Sequence, residues 1–155
     1  MTVAGIQFKN NDPGGYFEEK QITIQGIRKH YLFGNKSDVF NGQFSVEGYT
    51  VTSGENYFLD SIRIDKQLGG LIRYFDKAAW PDLRSHTFGW LYCGDFFNEF
   101  MIVTYVPVNE NAGRFDYVDG IICAPATSRA EAVEVARRVF DKTGAEVWND
   151  WNDWN

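Results

Sequence analysis

The chain has 155 residues, 44% of them hydrophobic and 17% aromatic, so it suits a single domain (1–155) with its own core and excludes disorder over most of its length. Its longest apolar run, 100–106, is too short to span a bilayer, and the opening MTVAGIQFKNNDPGG lacks the basic flank and apolar stretch of a signal peptide, so a cytoplasmic location is expected. The net charge of −6 falls in the second half, since residues 1–77 hold nine basic and nine acidic side chains and residues 78–155 hold six and twelve.

Residues 1–20 are expected to be irregular, because Asn10, Asn11, Asp12, Pro13, Gly14 and Gly15 make a turn-rich run. Ile22 and Ile24 then alternate with polar residues, and Ile27, Tyr31 and Phe33 follow on the other parity. Period-two alternation predicts a strand, and the change of phase at Gly26 predicts a β-bulge. Phe44 and Val46, followed by Tyr49 and Val51, repeat the device about Gly48, 22 residues on. Two strands bent alike point to a strongly curved sheet or partly closed barrel. Residues 57–65 read as a third strand. From 64 to 79 a helical stripe (Ile64, Leu68, Leu71, Ile72, Phe75, Ala79) competes with Gly69 and Gly70, which would cost a helix about 2 kcal/mol. A turn through 66–70 and a strand over 71–75 is the preferred reading.

Residues 87–93, 99–108 and 115–124 read as consecutive strands with short connections, hence an antiparallel meander. Residues 100–103 are apolar on both parities, which places that strand centrally, covered on both faces. Ser128 to Glu131 is a capping box, and Ala132, Val135, Ala136, Val139 and Phe140 form one apolar helical stripe ending near a glycine cap at Gly144. The expected fold is α+β: six to seven antiparallel strands in a strongly bent sheet, with one C-terminal amphipathic helix packed on it.

Residue types that do chemistry are scattered. Two His and two Cys show no metal-ligand spacing, and the glycine pairs match no phosphate loop, so neither metal nor cofactor is expected. Cys93 and Cys123 lie in apolar stretches and read as buried, reduced thiols. His86, Cys93 and Asp95 have the makings of a base, thiol nucleophile and orienting acid, but His86 and Cys93 stand about 20 Å apart on an extended strand. Asp95, Glu99, Asp116 and Asp119 gather at one end of the meander, where a solvated acidic edge that resists aggregation is preferred over an acid–base pair or ion site. Arg28, Lys29, Lys36, Lys66 and Lys77 interleave with Tyr31, Phe33, Tyr74 and Phe75, a pattern for stacking single strands. Matching acids in the same half make solvated strand faces the better reading.

The tail, 146–155, sets Trp148, Trp151 and Trp154 at a spacing of three, with Asp150 and Asp153 between them. On a 3₁₀ or polyproline-like segment these rings share one side and suit a partner's groove; the competing role for Trp148 and Trp151 is to close the domain's own core. The acidic second half disfavours direct nucleic-acid binding and favours a basic protein partner. The function expected is that of a small acidic, non-enzymatic binding or inhibitor protein. It acts on a basic, nuclease-like protein through Trp148, Trp151, Trp154, Asp150, Asp153, Asp116, Asp119 and Glu110. In general character, though in no motif, the chain is similar to toxin-neutralising immunity proteins and phage or plasmid counter-defence proteins. The alternatives are a β-rich module that encloses a small apolar or aromatic ligand, and an enzyme built on His86, Cys93 and Asp95.

Overall fold

A computed structural model describes residues 1–9, 15–32, 36–53, 55–79, 81, 84–94, 97–107 and 115–143, with the side chains of 106, 107 and 115–119 outside the description. In these residues nine strands form one antiparallel sheet: β1 (Thr2–Phe8), β2 (Phe17–Lys29), β3 (Asp38–Val46), β4 (Tyr57–Leu59), β5 (Ile62–Ile64), β6 (Gly70–Asp76), β7 (Ser85–Cys93), β8 (Phe100–Pro107) and β9 (Phe115–Ala124). A single helical turn, α1 (Thr50–Ser53), follows β3, and the long helix α2 (Arg129–Thr143) follows β9. The strand order is β4-β6-β7-β8-β9-β1-β2-β3-β5, and the sheet curls into a half-barrel with α2 packed on its outside.

The curl creates two cores. Inside it, Ile22, Ile24, Phe40, Phe44, Ile102 and Ile122 pack with Phe97 and Phe100, whose rings meet Phe40 and Phe44 edge-on or tilted at 5.2–6.4 Å. Outside, Ile6, Phe8, Met101, Val103, Ile121 and Cys123 pack against Ala132, Val135, Ala136 and Val139 of α2. Strand β8 feeds both, with Phe100 and Ile102 inward and Met101 and Val103 under the helix, as its two-sided apolar sequence requires. The helix begins as expected. The Glu131 N–H donates to Ser128 Oγ (3.2 Å), while the Glu131 carboxylate accepts from the N–H and hydroxyl of Thr127 (both 2.8 Å), one residue before the cap. Gly144 lies outside the described residues.

Several local expectations are corrected. Residues 1–20 are not irregular throughout: β1 is an inner strand between β9 and β2, and β2 begins at Phe17, while the turn-rich run 10–14 lies outside the described residues. The alternation of β1 is faint because Val3 packs on the inner core while Ile6 and Phe8 pack on the outer one. Gly26 makes no bulge, since β2 and β3 stay in unbroken register from Ile22↔Val46 to Lys29↔Val39. The change of phase arises because Ile27, 70% exposed, simply faces out. Gly26 and Gly42 instead face each other at very close approach; a Cβ on Gly42 would lie 2.1 Å from the Gln25 carbonyl oxygen. Strand β3 ends at Val46, and Gly48 (φ 84°) turns the chain into α1. Thr52 of α1 is buried, its hydroxyl bonded to the Val46 N–H and to the Val46 and Tyr49 carbonyls. The preferred turn and strand are present: Asp65 and Gly69 (φ 72°) bridge the turn and β6 runs from Gly70, although β5 and β6 form no ladder with each other.

The expected third strand at 57–65 is two strands with different neighbours. Strand β4 pairs with β6 through Tyr57↔Asp76 to Leu59↔Tyr74, whereas β5 pairs with β3 through Ile62↔Phe40 to Ile64↔Asp38. The segment thus crosses from one edge of the curled sheet to the other. Asp60 holds the β6 side, with its N–H on the Arg73 carbonyl (2.8 Å) and its carboxylate on the Arg73 guanidinium. Ser61 holds the β3 side, its hydroxyl donating to Asn41 Oδ1 (2.6 Å).

Candidate interaction surface

Trp148, Trp151, Trp154, Asp150, Asp153 and Glu110 lie outside the described residues, as does Asp95. Asp116 and Asp119 sit on β9, with their side chains outside the description. Among the described acids of the second half, Glu99, Glu131 and Glu134 have internal partners. Glu99 accepts from Arg138 Nε (2.7 Å) and Lys142 Nζ (2.9 Å), and Lys142 first, then Arg138, hold its carboxyl below the usual range against the opposing effect of burial. Glu134 pairs with Arg137 one turn along α2 (2.9 Å).

His86 and Cys93 occupy opposite ends of β7. His86 meets the edge of the Tyr57 ring (5.3 Å), and Cys93 is buried beside Arg28, whose Nη1 lies 3.8 Å from its sulfur. Cys123 is buried on the other side of the sheet, where burial pushes its thiol pKa up. Tyr74 is not on an exposed basic strip but inside the curl, its hydroxyl donating to the Phe44 carbonyl and its pKa raised by burial.

The densest polar cluster locks one end of the half-barrel. Asp38, only 2% exposed, accepts at Oδ2 from Arg28 Nε (3.0 Å) and Nη2 (2.8 Å), with His30 Nδ1 at 2.8 Å, and at Oδ1 from the Tyr31 N–H (3.2 Å). Burial opposes ionisation of Asp38, but the bonds from His30, Tyr31 and Arg28 together outweigh it and hold the carboxyl below its usual range. Arg28 Nη1 also donates to the Gly94 carbonyl (3.0 Å), and its guanidinium covers the Phe97 ring (5.4 Å). Phe97 has a positive φ of 56°, an uncommon conformation for a bulky residue, and its ring is wedged between Arg28 and Phe40. This cluster ties the β2–β3 connection to the segment after β7. It is a structural clamp.

The surface that sequence reasoning missed lies on the outer face of β4 and β6, with Trp90 of β7 at the edge of the outer core that α2 covers. Alternation puts Leu71, Arg73 and Phe75 of β6 on that face, opposite Trp90, Thr87 and Ser85 of β7. Phe58 of β4, 41% exposed, stacks on Phe75 (5.4 Å, 29°), and the Arg73 guanidinium lies 5.1 Å from the Phe75 centroid. Asp60 fixes that guanidinium through two bonds to Oδ2. At the other end, Trp90 Nε1 donates to the Leu68 carbonyl, with the Leu68 side chain 62% exposed. The result is a preordered row of aromatic, guanidinium and apolar groups. The period-two pattern of Leu71, Arg73 and Phe75 was legible, but its stacking partner Phe58 depends on the register of β4.

Between β3 and β4 lies a crevice of about 370 Å³, lined by residues that include Gly42, Phe44, Ser53, Tyr57, Leu59 and Lys77. Among the described residues no helix is long and apolar enough to cross a membrane. Comparison with protein-family models, with characterised proteins and with solved structures finds no match for this chain.

Proposed function

We propose that this chain is a non-enzymatic binding protein of the inhibitor type, as immunity and counter-defence proteins are, acting by contact with another protein. The observation that carries the reading is the Phe58–Phe75–Arg73 row, with Phe58 exposed and Phe75 and Arg73 half-buried, on a part of the sheet that no described helix covers. Aromatic and arginine side chains dominate the energetics of protein contacts, and these are already held in place, so little ordering entropy opposes binding. The net charge of −6 favours a basic partner. The terminal Trp148, Trp151 and Trp154, with Asp150, Asp153, Glu110, Asp116 and Asp119, are the second part of the proposed contact.

The test captures partners from the native host with the tagged full chain, identifies the protein retained, and titrates it by calorimetry. Three proteins are compared: the parent, Phe58→Ser/Phe75→Ser, and a chain truncated after Ala145 that carries Asp116→Lys and Asp119→Lys. The first variant is expected to bind at least about tenfold more weakly, the loss typical of one interface anchor. Undiminished affinity in both variants, with circular dichroism unchanged, overturns the proposal.

A further inference from the structure

We propose that the segment after α2, residues 144–155, folds back as a strap along one flank of that helix and seats Trp148, Trp151 and Trp154 in the trough between α2 and the outer face of the sheet. This goes beyond the binding-protein reading, because it concerns what the free chain does with the rings that a partner would take. The two flanks of α2 define the trough. Ala132, Val135, Ala136 and Val139 pack on the sheet. On one side of them Arg138 and Lys142 reach Glu99, which stands beside the Cys93↔Phe100 end of the strands. The opposite flank therefore looks the other way along the strands, towards Tyr105 of β8. It carries Arg129, Val133, Arg137 and Phe140, a single row by the periodicity of a helix.

The floor of this trough is aromatic and apolar. The Arg129 guanidinium lies 5.7 Å from the Phe8 centroid, Val133 is buried with the outer core, and Phe140 packs on Tyr92 (5.6 Å). Beyond them Trp90 and Tyr105 stand half-buried against the same core. A cavity of about 630 Å³ runs along the helix, lined by residues that include Pro125, Arg129, Val133 and Arg137. The polar groups call for an anionic occupant. Arg129 Nε is buried with no hydrogen-bond partner among the described residues, and such a donor costs stability until an acceptor meets it. Of the acids on the helix, Glu131 is engaged by Thr127 and Glu134 by Arg137.

Residues 144–155 match the trough in charge, length and phase. They contain Glu146, Asp150 and Asp153 and no basic side chain, and they leave α2 at its Phe140 end. Gly144 suits a reversal of the chain at the helix terminus. Going back along α2 from Phe140, a rise of about 1.5 Å per residue puts Arg137, Val133 and Arg129 at about 4.5, 10.5 and 16.5 Å. Going forward from Trp148 on a polyproline-like segment, a rise of about 3.1 Å per residue puts Asp150, Trp151 and Asp153 at about 6, 9 and 16 Å. The two ladders coincide, with an acid at each arginine and an indole at Val133. Such a segment repeats every three residues, so the indoles share one side and the two aspartates another. The rings then lie on the sheet while the carboxylates meet the helix wall. Covalent linkage delivers this occupant at an effective concentration that a separate molecule does not reach. A partner that uses the indoles must first lift them, so the strap sets a threshold for binding.

The test uses the full chain, labelled with ¹⁵N and carrying a nitroxide on Asn149→Cys or, in a second protein, on Asn152→Cys; Cys93 and Cys123 are buried and stay in place. The expected result is that both labels broaden the amide signals of Ala130, Val133, Arg137 and Tyr105 and leave that of Gln43 on β3 sharp. Arg129→Glu/Arg137→Glu is expected to abolish the broadening with the rest of the spectrum unchanged, and Asp150→Lys/Asp153→Lys added to that protein to restore it. No broadening of these amides by either label, undiminished broadening in the reversed protein, or no restoration by the compensating pair would each overturn the strap. Broadening of nitroxide-free ¹⁵N chains on mixing with unlabelled chains that carry the nitroxide would assign the contact to a second copy, which also overturns it. Absence of broadening while capture of the native partner still depends on the segment would sink the strap and leave the binding-protein reading standing.

Discussion

Replacing Asp38 with Asn preserves the outline of the side chain and removes the charge that four donors converge on. Arg28 Nε and Nη2 and His30 Nδ1 all address Oδ2, so the amide NH₂ of Asn must either face these donors or turn its oxygen to them and lose the charge assistance. The stranded partner is a guanidinium only 12% exposed. Breaking a buried ion pair from one side costs about 3–5 kcal/mol. Arg28 keeps the Gly94 carbonyl and the face of Phe97, which places the expected loss near the lower end, about 3 kcal/mol. Removing both partners in Asp38→Asn/Arg28→Met should return most of that loss, since no buried charge is then left alone. Urea unfolding at pH 7 followed by tryptophan fluorescence measures all three variants.

The same pair sets a pH dependence. The carboxyl of Asp38 titrates lower in the folded chain than in the unfolded one, so its stabilisation is complete above the unfolded carboxyl range, about pH 4, and is lost as pH falls through the depressed native value. The stability gap between the parent and Asp38→Asn should therefore narrow as pH falls from about 5 towards 3. A loss below about 1 kcal/mol at pH 7, or a gap that does not narrow in acid, refutes the assignment of this cluster as a clamp.

Two further outcomes are expected. Gly42→Ala, which drives a Cβ to 2.1 Å from the Gln25 carbonyl oxygen, should destabilise by about 1–3 kcal/mol or more although the site is exposed; a change within about 0.5 kcal/mol in urea unfolding refutes the close approach of β2 and β3. Cys93 and Cys123 are thiols buried on opposite sides of the sheet, so a thiol reagent such as DTNB should label the native protein slowly and both thiols rapidly in denaturant, without prior reduction. Rapid labelling of the native chain at either thiol shows that its core layer is open.

The parts of this protein legible in its sequence are those governed by neighbours in the chain. Helix α2 follows from the 128–131 cap and one apolar stripe, and the central position of β8 follows from its two-sided apolar run. The turn at Gly69 follows from the cost of glycine in a helix and its freedom at positive φ. Strand β1 escaped notice because two different cores share its side chains, so no clean alternation survives. The Gly26 phase change misled because hydrophobicity reports burial, and Ile27 is an exposed isoleucine in an unbroken ladder.

What tertiary structure alone decided is the pairing across distance. Nothing within residues 57–64 states that their first half belongs to β6 and their second to β3; that division is made by the curl of the whole sheet, which brings its two edges together around one short segment. The clamp at Asp38, the Phe58–Phe75–Arg73 row and the crevice between β3 and β4 all depend on that register. A backbone hydrogen bond is the same for every residue, so sequence selects which segments become strands, while the packing of the closed shape selects which strands meet.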